Sequence, residues 1–269
     1  MDFQAITATT QRYNFHTHTQ FCDGHAPMEE FVKAAIDHGM THLGFTPHSP
    51  IPVESPCNMA RDAVKAYLAE VERLQTLYGS RLRIYAGMEI DYLGDYGPRD
   101  AFFEHLPMDY SIASIHFLPA MDRPGVMVDV DGKYEAFKVK MDKFFHNDIE
   151  AVVRLFFDQS VKMVEAGGFD VVGHFDKIGN NASQFREGID KEPWYDALVL
   201  RLFEAIMDRR LTVEVNTKMW ETRKRFFPHL KFFKLLKKYR TPLLFNSDAH
   251  VPALIDAGRE EAMRLFSQA

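Results

Sequence analysis

The feature that most restricts what this chain can fold into is an alternation repeated along its length: a short apolar run, then a longer stretch of helical periodicity. The runs lie at residues 12–16, 43–46, 82–90, 109–116, 170–173, 211–216 and 243–246. Helical stretches lie near 27–39, 58–79, 147–167, 194–208, 229–239 and 252–267, with a short further helix at 98–106. Strands separated by helices of this size pair in parallel, because a crossover helix is the connection parallel strands need. Pro27 suits the first turn of its helix, and Gly39, Gly79 and Gly167 suit helix stops. Seven strands, each ending in polar residues, predict an α/β fold with a closed or nearly closed barrel. Residues 117–146, with Pro119, Pro124, Gly125 and Gly132, read as one long irregular connection, of the kind that often covers a site. No repeat, low-complexity tract or linker interrupts the pattern, so residues 1–269 read as a single domain.

In such a barrel the functional groups sit at the C-terminal strand ends, so what closes each strand matters most. The first run, Tyr13-Asn14-Phe15-His16-Thr17-His18, ends in two imidazoles two residues apart, which a strand aims at one face. Asp23 follows in Phe21-Cys22-Asp23-Gly24. The second strand runs into Pro47-His48, the third ends in Gly87-Met88-Glu89, and the fourth ends in Ser114-Ile115-His116. The fifth is Val171-Val172-Gly173-His174, and the seventh passes Asn246-Ser247 to reach Asp248 and His250. Any one of these groups alone reads as a hydrogen-bonded core histidine or a salt-bridged carboxylate. Their coincidence at six of seven strand ends does not.

Burying six histidines and three carboxylates together is costly unless something pairs them, and divalent cations would do so. Imidazole and carboxylate donors suit zinc, iron and manganese. The nine candidates are His16, His18, Asp23, His48, Glu89, His116, His174, Asp248 and His250. A catalytic zinc takes about three protein ligands plus a water. Nine donors therefore serve two or three ions, with Glu89 and Asp248 suited to bridging. His25, His38, His42, His105, His146 and His229 lack this register and read as surface or packing residues.

Composition narrows the partners. A net charge of -6 argues against binding nucleic acid by bulk electrostatics. The cluster Arg223-Lys224-Arg225, with Lys231, Lys234, Lys237 and Lys238, reads as a solvated helix face with one or two members free to meet phosphate. No run of 18 apolar residues is present, which excludes a membrane-spanning helix. Two cysteines, Cys22 and Cys57, make no disulfide framework, and no apolar leader is visible. A reducing cytoplasm is the expected location, and Cys22, though near the histidines, reads as packing rather than as a ligand.

These words resemble the polymerase-and-histidinol-phosphatase (PHP) superfamily: His-x-His plus Asp23, Thr46-Pro47-His48, Gly87-Met88-Glu89, Ser114-Ile115-His116, Gly173-His174 and Asn246-Ser247-Asp248-Ala249-His250. Within it, Gly87-Met88-Glu89-Ile90-Asp91-Tyr92, Ser114-Ile115-His116-Phe117-Leu118 and His174-Phe175-Asp176-Lys177 are similar to the histidinol-phosphate phosphatase branch. The resemblance implies a distorted seven-stranded (β/α)7 barrel with three divalent metal ions (Zn, Mn or Fe) at its C-terminal face. One ion would be held by His16, His18, Glu89 and Asp248, a second by Glu89, His116 and His174, a third by Asp23, His48 and His250. Branch members often carry arginine in the loop after the fifth strand. Here that loop has Lys177, so Lys177, Lys218 and Arg223 are the expected phosphate clamp, with weaker bidentate capacity than arginine.

The implied activity is metal-dependent hydrolysis of L-histidinol phosphate to L-histidinol and phosphate, a step of histidine biosynthesis, by attack of a hydroxide bridging two ions. Asp248 or His250 would pass a proton to the departing alkoxide. Asp91, Glu221 and Trp220 are candidates to face the organic part of the substrate. The alternative is a phosphoesterase of the same superfamily acting on nucleotides or another small phosphate ester. A third reading, a non-catalytic relic that kept the fold, predicts lost ligands, and none is missing here.

Overall fold

The computed structural model describes all 269 residues. Its strands, in chain order, are β1 (Tyr13–Asn14), β2 (His42–Phe45), β3 (Arg83–Asp91), β4 (Tyr110–Ser114), β5 (Phe117–Pro119), β6 (Met127–Asp129), β7 (Val171–Val172), β8 (Thr212–Asn216) and β9 (Leu243–Asn246). Seven of them form one parallel sheet in the order β1-β2-β3-β4-β7-β8-β9, while β5 and β6 pair as a separate antiparallel hairpin. The helices are α1 (Phe3–Thr9), α2 (Met28–Asp37), α3 (Val64–Tyr78), α4 (Ala101–Glu104), α5 (Tyr134–Phe145), α6 (Ile149–Ala166), α7 (Ile178–Phe185), α8 (Pro193–Asp208), α9 (Trp220–Arg223), α10 (Phe233–Lys238) and α11 (Arg259–Gln268).

The sheet curls until its edges meet and stops just short of a full ladder. A single parallel bridge links Thr17 to Ala249, beyond the ends of β1 and β9. Side chains complete the seam: Phe15 N donates to Asn246 Oδ1 at 2.9 Å, and Ser247 N donates to Asn14 Oδ1 at 3.1 Å. The result is the nearly closed α/β barrel that the alternation predicts, and all seven expected strands form within a few residues of their expected spans.

Alternation along each strand divides the residues between an outer and an inner face. Outward, Leu43 and Phe45 of β2 and Ile84, Ala86, Met88 and Ile90 of β3 pack on α2 and α3. In α2, Met28, Phe31, Val32 and Ala35 recur at the spacing of one helix face, and all are buried. Outward residues of the remaining strands, such as Val172, Val213 and Phe245, pack on α6, α8 and α11. Each fully buried large apolar side chain contributes about 1.5–3 kcal/mol.

Inward, the lower barrel is filled by Phe15, Tyr110, Ile112, Val171 and Leu244, with Phe3 of α1 packed against them. Tyr110 lies across the interior and donates to Phe15 O at 2.7 Å. Its hydroxyl would lie 2.0 Å from a Cβ at Gly44 and its ring 2.6 Å from one at Gly87, so only glycine fits at either position. Above this apolar floor the inward positions turn polar: Glu89, Ser114, Glu214 and Asn246 are all buried.

Residues 117–146 are not one irregular connection. They form the β5–β6 hairpin followed by the 12-residue α5. Gly125 and Gly132 take positive φ (79° and 77°) at its turns, while Phe137, Met141 and Phe145 recur every fourth residue and bury one face of α5. Three further short helices escape the periodicity: α1, which buries only Phe3, α7, which starts four residues after His174, and the single turn α9. The basic cluster also divides. Arg223 and Lys224 are exposed, but Arg225 is buried, with Nη1 2.6 Å from Asp190 Oδ2. The solvated-face expectation therefore fails for Arg225. No helix is long and apolar enough to cross a membrane.

Candidate metal centre

The polar upper layer converges at the C-terminal strand ends. All nine residues expected as ligands lie there, and seven of them are buried; Asp23 and His250 are half-buried at the wall. Their positions follow from the strands. His16 and His18 leave β1 with ring centroids 5.1 Å apart. Glu89 points inward from β3, and His174 follows β7. Asp248 follows β9 in the left-handed region (φ 51°), a conformation costing about 1–3 kcal/mol for a non-glycine residue and tolerated where the surroundings impose it.

Glu89 is the centre of the arrangement. Its Oε1 accepts from Ser114 Oγ at 2.6 Å and lies 2.9 Å from His174 Nε2. Its Oε2 faces His48 Nδ1 at 3.0 Å, His16 Nε2 at 3.2 Å and His18 Nε2 at 3.4 Å. On one side, Asp248 Oδ1 lies 3.2 Å from His18 Nε2 and 3.7 Å from His16 Nε2. On another, His116 Nε2 and His174 Nε2 face each other at 3.3 Å. At the wall, Asp23 Oδ1 lies 3.3 Å from His250 Nε2 and 3.8 Å from His48 Nε2.

Two carboxylates outside the expected set stand behind this layer. Glu214, fully buried, sits 2.6 Å from His16 Nδ1, and Asp91 sits 2.7 Å from His116 Nδ1. An ionised carboxylate only accepts, so each ring donates through Nδ1 and turns Nε2 toward the centre. The sixth strand, which offers no ligand at its end, thus supplies Glu214. Its sequence signal is weak, because a carboxylate alternating with Val213 and Val215 reads equally well as facing solvent.

Five buried atoms of this centre have no hydrogen-bond partner: His16 Nε2, His18 Nε2, Asp23 Oδ1, His48 Nδ1 and Glu89 Oε2. Leaving buried polar atoms unpaired costs about 1–3 kcal/mol each, more for charged groups. The neighbours also demand incompatible protonation states. Burial alone would keep His16 neutral, yet Glu214, Asp248 and Glu89 raise its pKa well above the usual range. Burial, with His250 and His48 nearby, drives His18 well below it. Burial and Lys177 push His174 down to about 4, whereas Asp91 and Glu89 overcome burial and lift His116 to about 9. Divalent cations resolve both problems at once, since they pair the orphaned donors and need unprotonated imidazole. Groups of three or four donor atoms within 4.8 Å of one another occur as His16, His18 and Asp248; as His48, Glu89 and His116; and as His18, Asp23, His48 and His250. The donor set fits divalent metal binding.

A cavity of about 390 Å³ opens above, lined by Asp23, His48, His116, Lys218 and His250 on the barrel side and by Asp129, Asp131 and Lys140 from the hairpin side. Lys218 Nζ lies 3.1 Å from His250 Nε2 and 3.4 Å from Asp248 Oδ1. Lys177 is buried, 2.9 Å from Asp131 Oδ2 and 3.8 Å from Asp248 Oδ2. Arg223 is exposed on α9, makes no ion pair and does not line the cavity. Of the residues expected to meet the organic part of a substrate, none lines the cavity. Asp91 is buried behind His116, Trp220 stacks on Phe226 with centroids 4.4 Å apart, and Glu221 is exposed. Burial pushes the Cys22 thiol up to about 12, so it stays neutral beside His18, in keeping with packing.

A family model described as the PHP domain matches residues 14–218. The chain is 26% identical over 251 residues to a Deinococcus radiodurans protein named "Probable histidinol-phosphatase", covering 88% of this chain and 85% of that one. It is 25% identical over 258 residues to the Bacillus subtilis protein named "Histidinol-phosphatase", covering 89% and 94% respectively. In fold it is similar to a Lactococcus lactis histidinol phosphate phosphatase solved with zinc, L-histidinol and phosphate. The TM-score is 0.69 at 18% identity, over 95% of this chain and 92% of that one.

Proposed function

Since this chain belongs to the PHP family, we propose that it is a metal-dependent phosphatase that hydrolyses L-histidinol phosphate to L-histidinol and phosphate. The observation that carries the reading is the convergence of five unpartnered buried donor atoms beneath a cavity sized for a small phosphate ester. The names of the curated relatives supply the substrate, and the Lactococcus complex supports zinc as the resident metal. In the proposed ligand sets, His16, His18, Glu89 and Asp248 hold one ion, Glu89, His116 and His174 a second, and Asp23, His48 and His250 a third. Such ions supply Lewis acidity toward phosphoryl oxygens and make a bound water acidic near neutral pH.

The chain's own residues do the rest. Lys218, on the cavity wall, balances the charge that develops on the phosphoryl oxygens, where fixed charge is most effective. Lys177, gripped by Asp131 from the hairpin side, adds positive potential from behind Asp248. Proton transfer to the departing alkoxide falls to Asp248 or His250, both within 3.5 Å of the Lys218 ammonium. Glu89 keeps its charge throughout: burial opposes it, but His16, His48 and His116 hold its carboxyl well below the usual range.

The test compares inorganic phosphate released by zinc-loaded protein from L-histidinol phosphate and from a nucleoside monophosphate. The reading predicts a clear preference in kcat/KM for histidinol phosphate. Equal or faster release from the nucleotide would favour a nucleotide phosphoesterase. No release from either at full zinc occupancy would remove the phosphatase reading.

A further inference from the structure

The three proposed cation positions are not supported alike. Glu214 accepts from Asn246 Nδ2 at 2.9 Å, Asn216 Nδ2 at 3.1 Å and the His174 backbone N at 3.1 Å, besides facing His16 Nδ1 at 2.6 Å. Those contacts come from β8, β9 and the ends of β1 and β7, so they fix both the carboxylate and the ring it orients. Asp91 is fixed in the same way. Oδ1 faces His116 Nδ1, Oδ2 accepts from Asn58 Nδ2 at 2.8 Å, and Asn58 Nδ2 also donates to Ser49 O at 2.8 Å. A buried carboxylate behind a ligating imidazole raises the ring's basicity and fixes its tautomer.

The position at Asp23, His48 and His250 has no buried carboxylate of its own behind its rings: His48 Nδ1 faces Glu89 Oε2 at 3.0 Å, and that carboxylate is already committed to the other two positions. His250 Nδ1 faces the Asp248 carbonyl at 2.9 Å and Asp248 Oδ1 at 3.5 Å, and Asp248 is itself assigned to another cation. The ammonium of Lys218 stands 3.1 Å from the nitrogen that would bind, so a cation there meets a like charge. This position is also at the cavity wall, with Asp23 and His250 half-buried.

We propose that Glu214 and Asp91 are positioning residues that make two of the three cation positions tight, and that the Asp23–His48–His250 position is the weak, exchangeable one. The proposal rests on the metal-dependent reading above. Glu214 acts through His16 and sets the affinity of the ion shared with His18 and Asp248. Asp91 acts through His116 and sets the affinity of the ion shared with Glu89 and His174. Neither touches substrate.

Zinc-loaded protein is titrated with a competing chelator of known affinity, and the ions released per chain are counted against free zinc. Wild type should release one ion at a free-zinc level about 10-fold or more above that needed for the other two. Glu214→Gln and Asp91→Asn should each weaken one tight ion by about 10–100-fold, leaving a single tight ion in each variant. Melting of the zinc-free proteins separates lost support of the ligand from lost folding. Should one variant fail to melt cooperatively, the other and the staged release from wild type still decide. Release of all ions at one free-zinc level in wild type, or unchanged release in variants that melt normally, would overturn the proposal. Failure of the underlying reading looks different: wild type would bind no zinc at these residues, or would bind it and hydrolyse no histidinol phosphate.

Discussion

Glu89→Gln is the sharpest perturbation of the centre, because the new side chain has the same shape and lacks only the charge. Glutamine can keep Oε1 against Ser114 Oγ and His174 Nε2, so the barrel should fold. What changes is the other atom, which becomes an amide facing His48 Nδ1, His16 Nε2 and His18 Nε2 at 3.0, 3.2 and 3.4 Å. In the proposed ligand sets this carboxylate serves two ions. A charge-assisted contact contributes about 1.5–3 kcal/mol, so losing one at each position amounts to roughly 3–6 kcal/mol. At 1.36 kcal/mol per decade that corresponds to a fall of about 10²- to 10⁴-fold in kcat/KM. Phosphate release from histidinol phosphate, with zinc per chain measured on the same sample, provides the assay. A variant within about threefold of wild type in kcat/KM at unchanged zinc content would refute a bridging role for Glu89.

Lys218→Met removes the ammonium from the cavity wall and one charge-assisted contact to phosphate; kcat/KM should fall by about 10–100-fold while zinc content holds. No change would take Lys218 out of the clamp. In zinc-free protein, Asp91 and Glu89 outweigh burial and raise the His116 pKa to about 9, so the folded state binds a proton that the unfolded chain loses near 6.5. That stabilisation is complete below pH 6.5 and disappears as pH rises through 9. Urea midpoints of the zinc-free protein should therefore fall by the equivalent of about 3 kcal/mol between pH 6 and 10, more steeply than those of zinc-loaded protein, whose His116 is unprotonated throughout. Equal slopes would argue against His116 as a ligand. Gly179→Ala would place a Cβ 2.2 Å from Arg225 Nη2 and 2.5 Å from Tyr195 Oη. Overpacking of this kind costs about 1–3 kcal/mol, and an unchanged melting temperature would show that the buried Arg225 can move aside.

The parts of this fold that were legible in sequence are those where periodicity and strand-end chemistry agree. Val171-Val172-Gly173-His174 announces both a buried strand and the group it delivers, and the same holds for the runs ending at Glu89 and His116. The hairpin and α5 were hidden because prolines and glycines in residues 117–132 read as loop, although Phe137, Met141 and Phe145 carry a helical period. Helix α7 offers Gly179, Asn180 and Asn181 in its first half, a poor helix composition, and forms because Ile178 and Ala182 are buried against the barrel. The sequence does not mark Glu214 and Asp91 as supports, because nothing local separates a carboxylate facing a buried imidazole from one facing water. The basic triplet at 223–225 has the same ambiguity: which of its members turns inward depends on Asp190 and Asp176, more than thirty residues away in sequence.

The central claim is that nine side chains from six strand ends are brought together to share cations. Crystals of zinc-loaded protein, measured on both sides of the zinc absorption edge, test it most directly. Three anomalous peaks are expected, each within about 2.0–2.2 Å of nitrogen or oxygen atoms from His16, His18, Asp23, His48, Glu89, His116, His174, Asp248 and His250. Fully loaded crystals with no anomalous density among these residues, or with zinc only at surface histidines, would contradict it.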